Sequence, residues 1–187
     1  MIVKVGRSML VDTEEFETGD DIAINRINDL AIACVVVDVT DKIATVISLN
    51  TVFNMALNYN KCASWLESDL RKYLNSDFYN SCDPWVRDKL IKDSNGDYFS
   101  IPSEKEIFGR NKYGEYEGNE VVQWSIMKDR KYRIALTECG TNMYFLRTKP
   151  NDSLIAFCGC SEDGDPILID AHRSRGVRPC FRMPASL

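Results

Sequence analysis

The chain predicts an α+β fold, with β-rich segments at both ends, a helical middle and a long polar loop before the closing strands. Three observations carry this. Residues 31–38 and 43–49 read Ala-Ile-Ala-Cys-Val-Val-Val-Asp and Ile-Ala-Thr-Val-Ile-Ser-Leu, two runs rich in β-branched types on either side of a polar turn at Asp41. From Ser64 the period changes, and Trp65, Leu66, Leu70, Tyr73, Leu74, Phe78 and Tyr79 fall at helical spacing. After residue 131 the chain alternates in short apolar runs separated by turn residues.

In chain order these signals predict a hairpin at 31–49 and an amphipathic helix over roughly residues 66–79. A second short helix starts at Asp83-Pro84, an N-cap followed by proline at the first helical position, and stops before the Asn95-Gly96 turn. A short strand at 98–102 leads into Ser103-Glu-Lys-Glu106, the pattern of a capping box, with one helical turn to Phe108. Residues 109–131 show no periodicity and predict a long excursion. Strands follow at 132–136, 143–148, 154–158, 167–170 and 177–183, with Asp163-Gly164 turning the third into the fourth. One domain over 1–187 is expected, with residues 1–18 as an acidic, peripheral leader.

Two arginines stand inside apolar strand patterns, Arg147 in Tyr-Phe-Leu-Arg-Thr (144–148) and Arg178 in Gly-Val-Arg-Pro-Cys-Phe (176–181). An arginine is rarely buried unless its fork of donors is satisfied, so both are expected to be structural clamps, with Trp65 as a core anchor. Composition bounds the function. The formal charge of −5 argues against general nucleic-acid binding, and 44% hydrophobic with 27% charged residues is ordinary for a globular domain. There is no export-signal pattern at the start and no run of 18 apolar residues, so a cytoplasmic protein without a membrane partner is expected.

Seven cysteines, an odd number without an export signal, are expected as free thiols rather than a disulfide framework. Cys158-Gly-Cys160 with His172, the only histidine, suggests a metal site at first sight. Zinc needs four ligands, however, and strand alternation alone puts both cysteines on one face. No metal and no cofactor are expected. Nor is there a phosphate loop, because Gly114-Glu-Tyr-Glu-Gly118 lacks the lysine and serine such a loop uses. No catalytic residue is assigned.

The ordered set of the hairpin, Ala-Ser-Trp-Leu-Glu-Ser-Asp-Leu-Arg-Lys-Tyr-Leu-Asn (63–75), Tyr-Phe-Ser-Ile-Pro-Ser-Glu-Lys-Glu (98–106), Tyr-Phe-Leu-Arg (144–147) and Gly-Val-Arg-Pro-Cys-Phe (176–181) resembles an uncharacterised domain family of bacteria and their phages. The resemblance spans about residues 19–183. That family is in turn similar to the C-type-lectin-like fold, which also serves formylglycine-generating enzymes and phage receptor-binding proteins. The resemblance implies two main helices, a twisted, mainly antiparallel sheet and recognition through long loops. It implies neither calcium-dependent sugar binding nor oxidase chemistry. Lys149-Pro150-Asn151-Asp152 puts an ammonium where the lectins have a calcium-binding carboxylate, and Cys158 and Cys160 lack the oxidase surroundings.

The expected function is therefore non-enzymatic recognition of a protein, or of a glycan, with Tyr113, Tyr116 and Trp124 on the 109–131 loop as aromatic contacts. An alternative draws on the acidic run Asp12–Asp21. There Glu14, Glu15, Glu17, Asp20 and Asp21 are candidates for mimicry of nucleic acid, by which a phage or mobile-element inhibitor, in the manner of anti-CRISPR proteins, occupies a nucleic-acid enzyme. A formylglycine-type oxidase is a remote third. The setting these readings imply is a bacterial cytoplasm, or a virion for a phage structural component.

Overall fold

A computed structural model describes residues 2–4, 15–26, 31–59, 64–153 and 155–186. Strands β1 (Ile2–Lys4) and β2 (Asp21–Ile24) precede the hairpin of β3 (Ile32–Thr40) and β4 (Ile43–Ser48). Asp41 and Lys42 turn it with φ of 51° and 63°, the doubly left-handed geometry whose twist matches that of paired strands. A short strand, β5 (Phe53–Met55), follows.

The helical segment opens with a tight turn at Trp65–Glu67. Ser68 then caps α1 (Asp69–Tyr73), its hydroxyl accepting from the Arg71 N–H at 3.1 Å. The helix widens into a π turn at Leu74–Phe78 and ends as α2 (Tyr79–Ser81). Leu70, Leu74 and Phe78 are fully buried. Asn75, within the π turn, accepts from the Tyr98 and Phe99 N–H groups at 2.8 and 3.1 Å and donates to the Phe99 carbonyl at 2.8 Å, stapling the helix to the next strand. The second expected helix shrinks to one turn, α3 (Pro84–Arg87), with Asp83 capping as anticipated. One long helix and several single turns therefore replace the two main helices.

Strand β6 (Phe99–Ser100) leads to α4 (Glu104–Phe108), and Gly109, at φ 74°, ends that turn. The expected strand at 132–136 starts late. Asp129 caps a helical turn, α5 (Arg130–Arg133), before β7 (Ala135–Thr137) and β8 (Gly140–Asn142) form a small hairpin. Then come β9 (Tyr144–Phe145), β10 (Ala156–Cys160), β11 (Pro166–Asp170), β12 (Arg175–Val177) and β13 (Cys180–Pro184).

The architecture is mixed α+β and dominated by sheet. One sheet has the order β1-β2-β3-β4-β13-β6 and is antiparallel throughout; the other runs β11-β10-β9-β12-β5 and is antiparallel except at β9-β12. The expected single strand at 177–183 is two strands in different sheets. Pro179 has no N–H to give a ladder, and the chain crosses between the sheets at Arg178-Pro179. Arg178 thus marks a crossing and Arg147 the bend after β9; neither lies within a strand.

Two apolar clusters share the strands. Val36 and Val46 join the helix residues Leu70, Leu74 and Phe78, while Val35, Val37 and Ile47 face Ile107, Trp124, Met127, Leu146, Cys158 and Cys160. Both faces of β3 are covered, which is why its sequence runs apolar without alternation. The 109–131 excursion closes the second cluster, and so fixes where the site lies.

Candidate functional site

The capping box at the start of α4 forms fully. The Ser103 hydroxyl accepts from the Glu106 N–H at 3.2 Å, and the Ser103 N–H donates to Glu106 Oε2 at 2.7 Å. Glu106 has a second task, receiving both Nη atoms of Arg147 at 2.7 and 2.6 Å, while Arg147 Nη1 also donates to the Ile101 carbonyl at 2.6 Å. Burial works against the Arg147 charge, but the Glu106 carboxylate outweighs it and holds the guanidinium more firmly protonated than usual.

Glu104 is fully buried and accepts from the Tyr113 and Gly114 N–H groups at 3.2 and 2.9 Å. Its own N–H donates to Thr148 Oγ1 at 2.7 Å. Only glycine fits at 114: a Cβ there would lie 2.3 Å from Thr148 Cγ2 and 2.9 Å from Glu104 Oε2. The root is closed by Glu117, which accepts from the Ser103 hydroxyl at 2.5 Å, from Asn111 Nδ2 at 3.0 Å and from the Thr148 hydroxyl. At the other end of the loop the Trp124 N–H donates to the Glu106 carbonyl at 3.0 Å, and Gln123 Nε2 to the Ile107 carbonyl at 2.9 Å. The excursion is therefore nailed to α4 from both sides, with its tip left to solvent. Tyr116 is 69% and Val122 64% exposed.

Two clefts open beside this tip. One, of about 360 Å³, is lined by Asp38, Asp93, Glu106, Val122, Trp124 and Arg182; the other, of about 580 Å³, by Trp65, Leu66, Tyr116, Glu117, Thr148 and Lys149. Asn95, Val121 and Arg147 line both, so the clefts adjoin at the Arg147–Glu106 pair. Lys105 leans over the Tyr116 ring, with its Nζ 5.5 Å from the ring centre, and donates to the Gly118 carbonyl.

The expected contact residues separate. Tyr116 is exposed, whereas Tyr113 is half-buried under Lys112, whose Nζ lies 4.7 Å from its ring centre. Trp124 is a correction: it is 7% exposed and packs in the second cluster, because a large ring flanked by Met127 and Ile107 gains more from burial than from display. Trp65, at 6% exposure, is a core residue. Arg178 is entirely enclosed, its Nε donating to the Ser48 carbonyl and its Nη1 to the Tyr132 carbonyl, both at 3.0 Å, and to the Tyr144 hydroxyl at 3.1 Å. Arg147 is 27% exposed at its side chain and lines the clefts as well as clamping the strand end.

The acidic segment is less peripheral than expected. Phe16 is buried and its N–H donates to the Ala185 carbonyl at 2.6 Å, so the chain is tied down from residue 15 onward. Glu15, Glu17 and Asp21 are exposed there, Asp20 accepts from the Glu17 N–H at 2.8 Å, and Glu14 lies outside the described residues. Cys158, Cys160 and His172 are not brought together. His172 Nδ1 lies 3.1 Å from the Asn58 carbonyl, and the Cys160 thiol donates to the Arg133 carbonyl at 3.4 Å. Burial pushes the Cys160 thiol up to about 11; burial and the Glu104 carboxylate push Cys158 up as well. Both stay protonated near neutrality, the form that packs rather than attacks.

Sequence reasoning missed the second role of Glu106 and the whole role of Glu104, Glu117 and Thr148. The capping box pointed to Glu106 only as a cap, and a glutamate at the first helical position, as Glu104 is, carries no pattern that announces burial. Comparison with known proteins yields no matching family model, no matching curated protein and no matching solved structure.

Proposed function

We propose that the chain is a non-enzymatic recognition module of C-type-lectin-like arrangement that binds a protein partner at the face where the two clefts adjoin. The observation that carries this reading is a loop held to α4 at both roots, by the buried Glu104 carboxylate at one and by the Glu106 and Ile107 carbonyls at the other, with two exposed apolar side chains, Tyr116 and Val122, beside concave surface. Large apolar groups held in place at a cleft lose little freedom on binding, which favours contact over display to water. Tyrosine in particular offers a rigid, amphipathic surface of the kind that dominates interface energetics.

Immobilised protein incubated with bacterial lysate tests this. The native chain is expected to retain a partner that the doubly substituted Tyr116→Ala, Val122→Ser chain loses by ten-fold or more, with a melting temperature within about 2 °C of native, because both side chains are exposed. Equal retention by both chains would contradict the reading. The inhibitor reading has its own supporting observation, since buried Phe16 holds Glu15, Glu17 and Asp21 at fixed surface positions. In the same experiment it expects retention to fall steeply with added salt, whereas contact through Tyr116 and Val122 resists salt.

A further inference from the structure

The Tyr116 ring is held by few contacts. The backbone on either side of it is fixed, because the Glu115 N–H donates to the Lys149 carbonyl at 2.9 Å and the Glu117 carboxylate is held by Ser103, Thr148 and Asn111. The ring itself is 69% exposed, so packing does not choose its rotamer. Two polar contacts bear on it instead. Its hydroxyl donates to Asn119 Oδ1 at 2.5 Å, a bond within the loop, and the Lys105 ammonium lies 5.5 Å from the ring centre, within cation–π range.

Lys105 differs from Asn119 in where it stands. It belongs to α4, whose start is closed by the capping box and which holds both roots of the loop. The same ammonium donates to the Gly118 carbonyl, so one group ties both the ring and the tip backbone to the helix. No carboxylate pairs with it among the described residues. Consecutive residues of α4 thus brace the loop at two levels. Glu104, fully buried, takes the root at Tyr113 and Gly114; Lys105, half-buried, reaches the tip at Tyr116 and Gly118.

We propose that Lys105 is a positioning residue of the recognition face, its ammonium holding the Tyr116 ring in the orientation that a partner meets. This deepens the recognition reading and rests on it. An exposed tyrosine that is already ordered loses less rotamer freedom on contact, so Lys105 strengthens binding through Tyr116 without touching the partner itself.

The test labels the full chain with 3-fluorotyrosine and compares the native sequence with Lys105→Met and Lys105→Arg by fluorine NMR. The Tyr116 signal is picked out among the eight tyrosines through Tyr116→Phe. Methionine keeps the apolar stem without the charge, whereas arginine keeps a cation that stacks on rings and donates. Lys105→Met is expected to narrow the Tyr116 signal and move it toward that of an unstructured fluorotyrosine peptide, with a melting temperature within about 2 °C of native. Lys105→Arg is expected to keep the native signal. Retention of the partner from bacterial lysate is expected to fall about three- to ten-fold in Lys105→Met, the equivalent of ordering one side chain, and to fall no further when Lys105→Met is added to Tyr116→Ala. A Tyr116 signal unmoved by Lys105→Met, or loosened equally by Lys105→Arg, overturns the assignment. So does native retention by a chain whose signal has moved, or a full further loss on the Tyr116→Ala background, which would put Lys105 in direct contact with the partner. The recognition reading fails separately, by equal retention in the native chain and the Tyr116, Val122 variant, and the fluorine signal does not depend on that result.

Discussion

Replacing Arg178 by alanine is expected to destabilise the protein by about 4 kcal/mol or more, a loss read as a large fall in the urea midpoint at constant slope. The guanidinium pairs with no carboxylate among the described residues. It satisfies the carbonyls of Ser48 and Tyr132 and the hydroxyl of Tyr144, drawing together three segments far apart in sequence where the chain passes from one sheet to the other. Alanine takes this donor from the Ser48 and Tyr132 carbonyls, leaves the Tyr144 hydroxyl only its bond to the Arg133 carbonyl, and opens a cavity besides; against a total stability of roughly 5–15 kcal/mol that is a large share. Arg178→Met separates the two contributions, since it fills much of the space without donating. It is expected to recover part of the loss, not all of it. A methionine variant as stable as the native chain would show that packing alone matters there.

Glu104→Ala is expected to cost about 3 kcal/mol and to release the loop at one root. The Tyr113 and Gly114 amides lose their buried acceptor, while the backbone N–H of residue 104 still donates to the Thr148 hydroxyl. Hydrogen exchange measures this locally. The amides of residues 113–115 are expected to exchange many-fold faster in the variant, while those of the β3–β4 hairpin change only by the global loss of stability. Unchanged exchange at 113 and 114 would mean that the loop is held by its other contacts and that the buried carboxylate is incidental.

Much of the fold was legible because its signals are local. The hairpin turn at Asp41, the caps at Asp83 and Ser103 and the Asn95-Gly96 turn each depend on a few neighbouring residues, and each forms as expected. The failures lie where tertiary structure decides. The run 177–183 is apolar enough for one strand, and only the destination of each half, with Pro179 between them, splits it across two sheets. The unbroken Val35-Val36-Val37 run did hint that a second layer covers β3, and hence that an aperiodic loop must supply Trp124 and Met127 to a core. For the site, Tyr116 was legible as an aromatic on a polar loop. Glu104 was not, because a carboxylate buried on backbone N–H groups has the same letter and neighbours as one in water.

On the proposed reading, a partner meets this molecule at the pinned loop and its clefts. Placing the photo-crosslinking residue p-benzoylphenylalanine at position 116, and in a second chain at position 168, tests it most directly. Leu168 is an exposed apolar residue of a different element, at 46% exposure on β11. Irradiation in bacterial lysate is expected to give a discrete adduct from position 116 and none from 168. An adduct from 168 with none from 116, or no adduct from 116 at all, would contradict the claim.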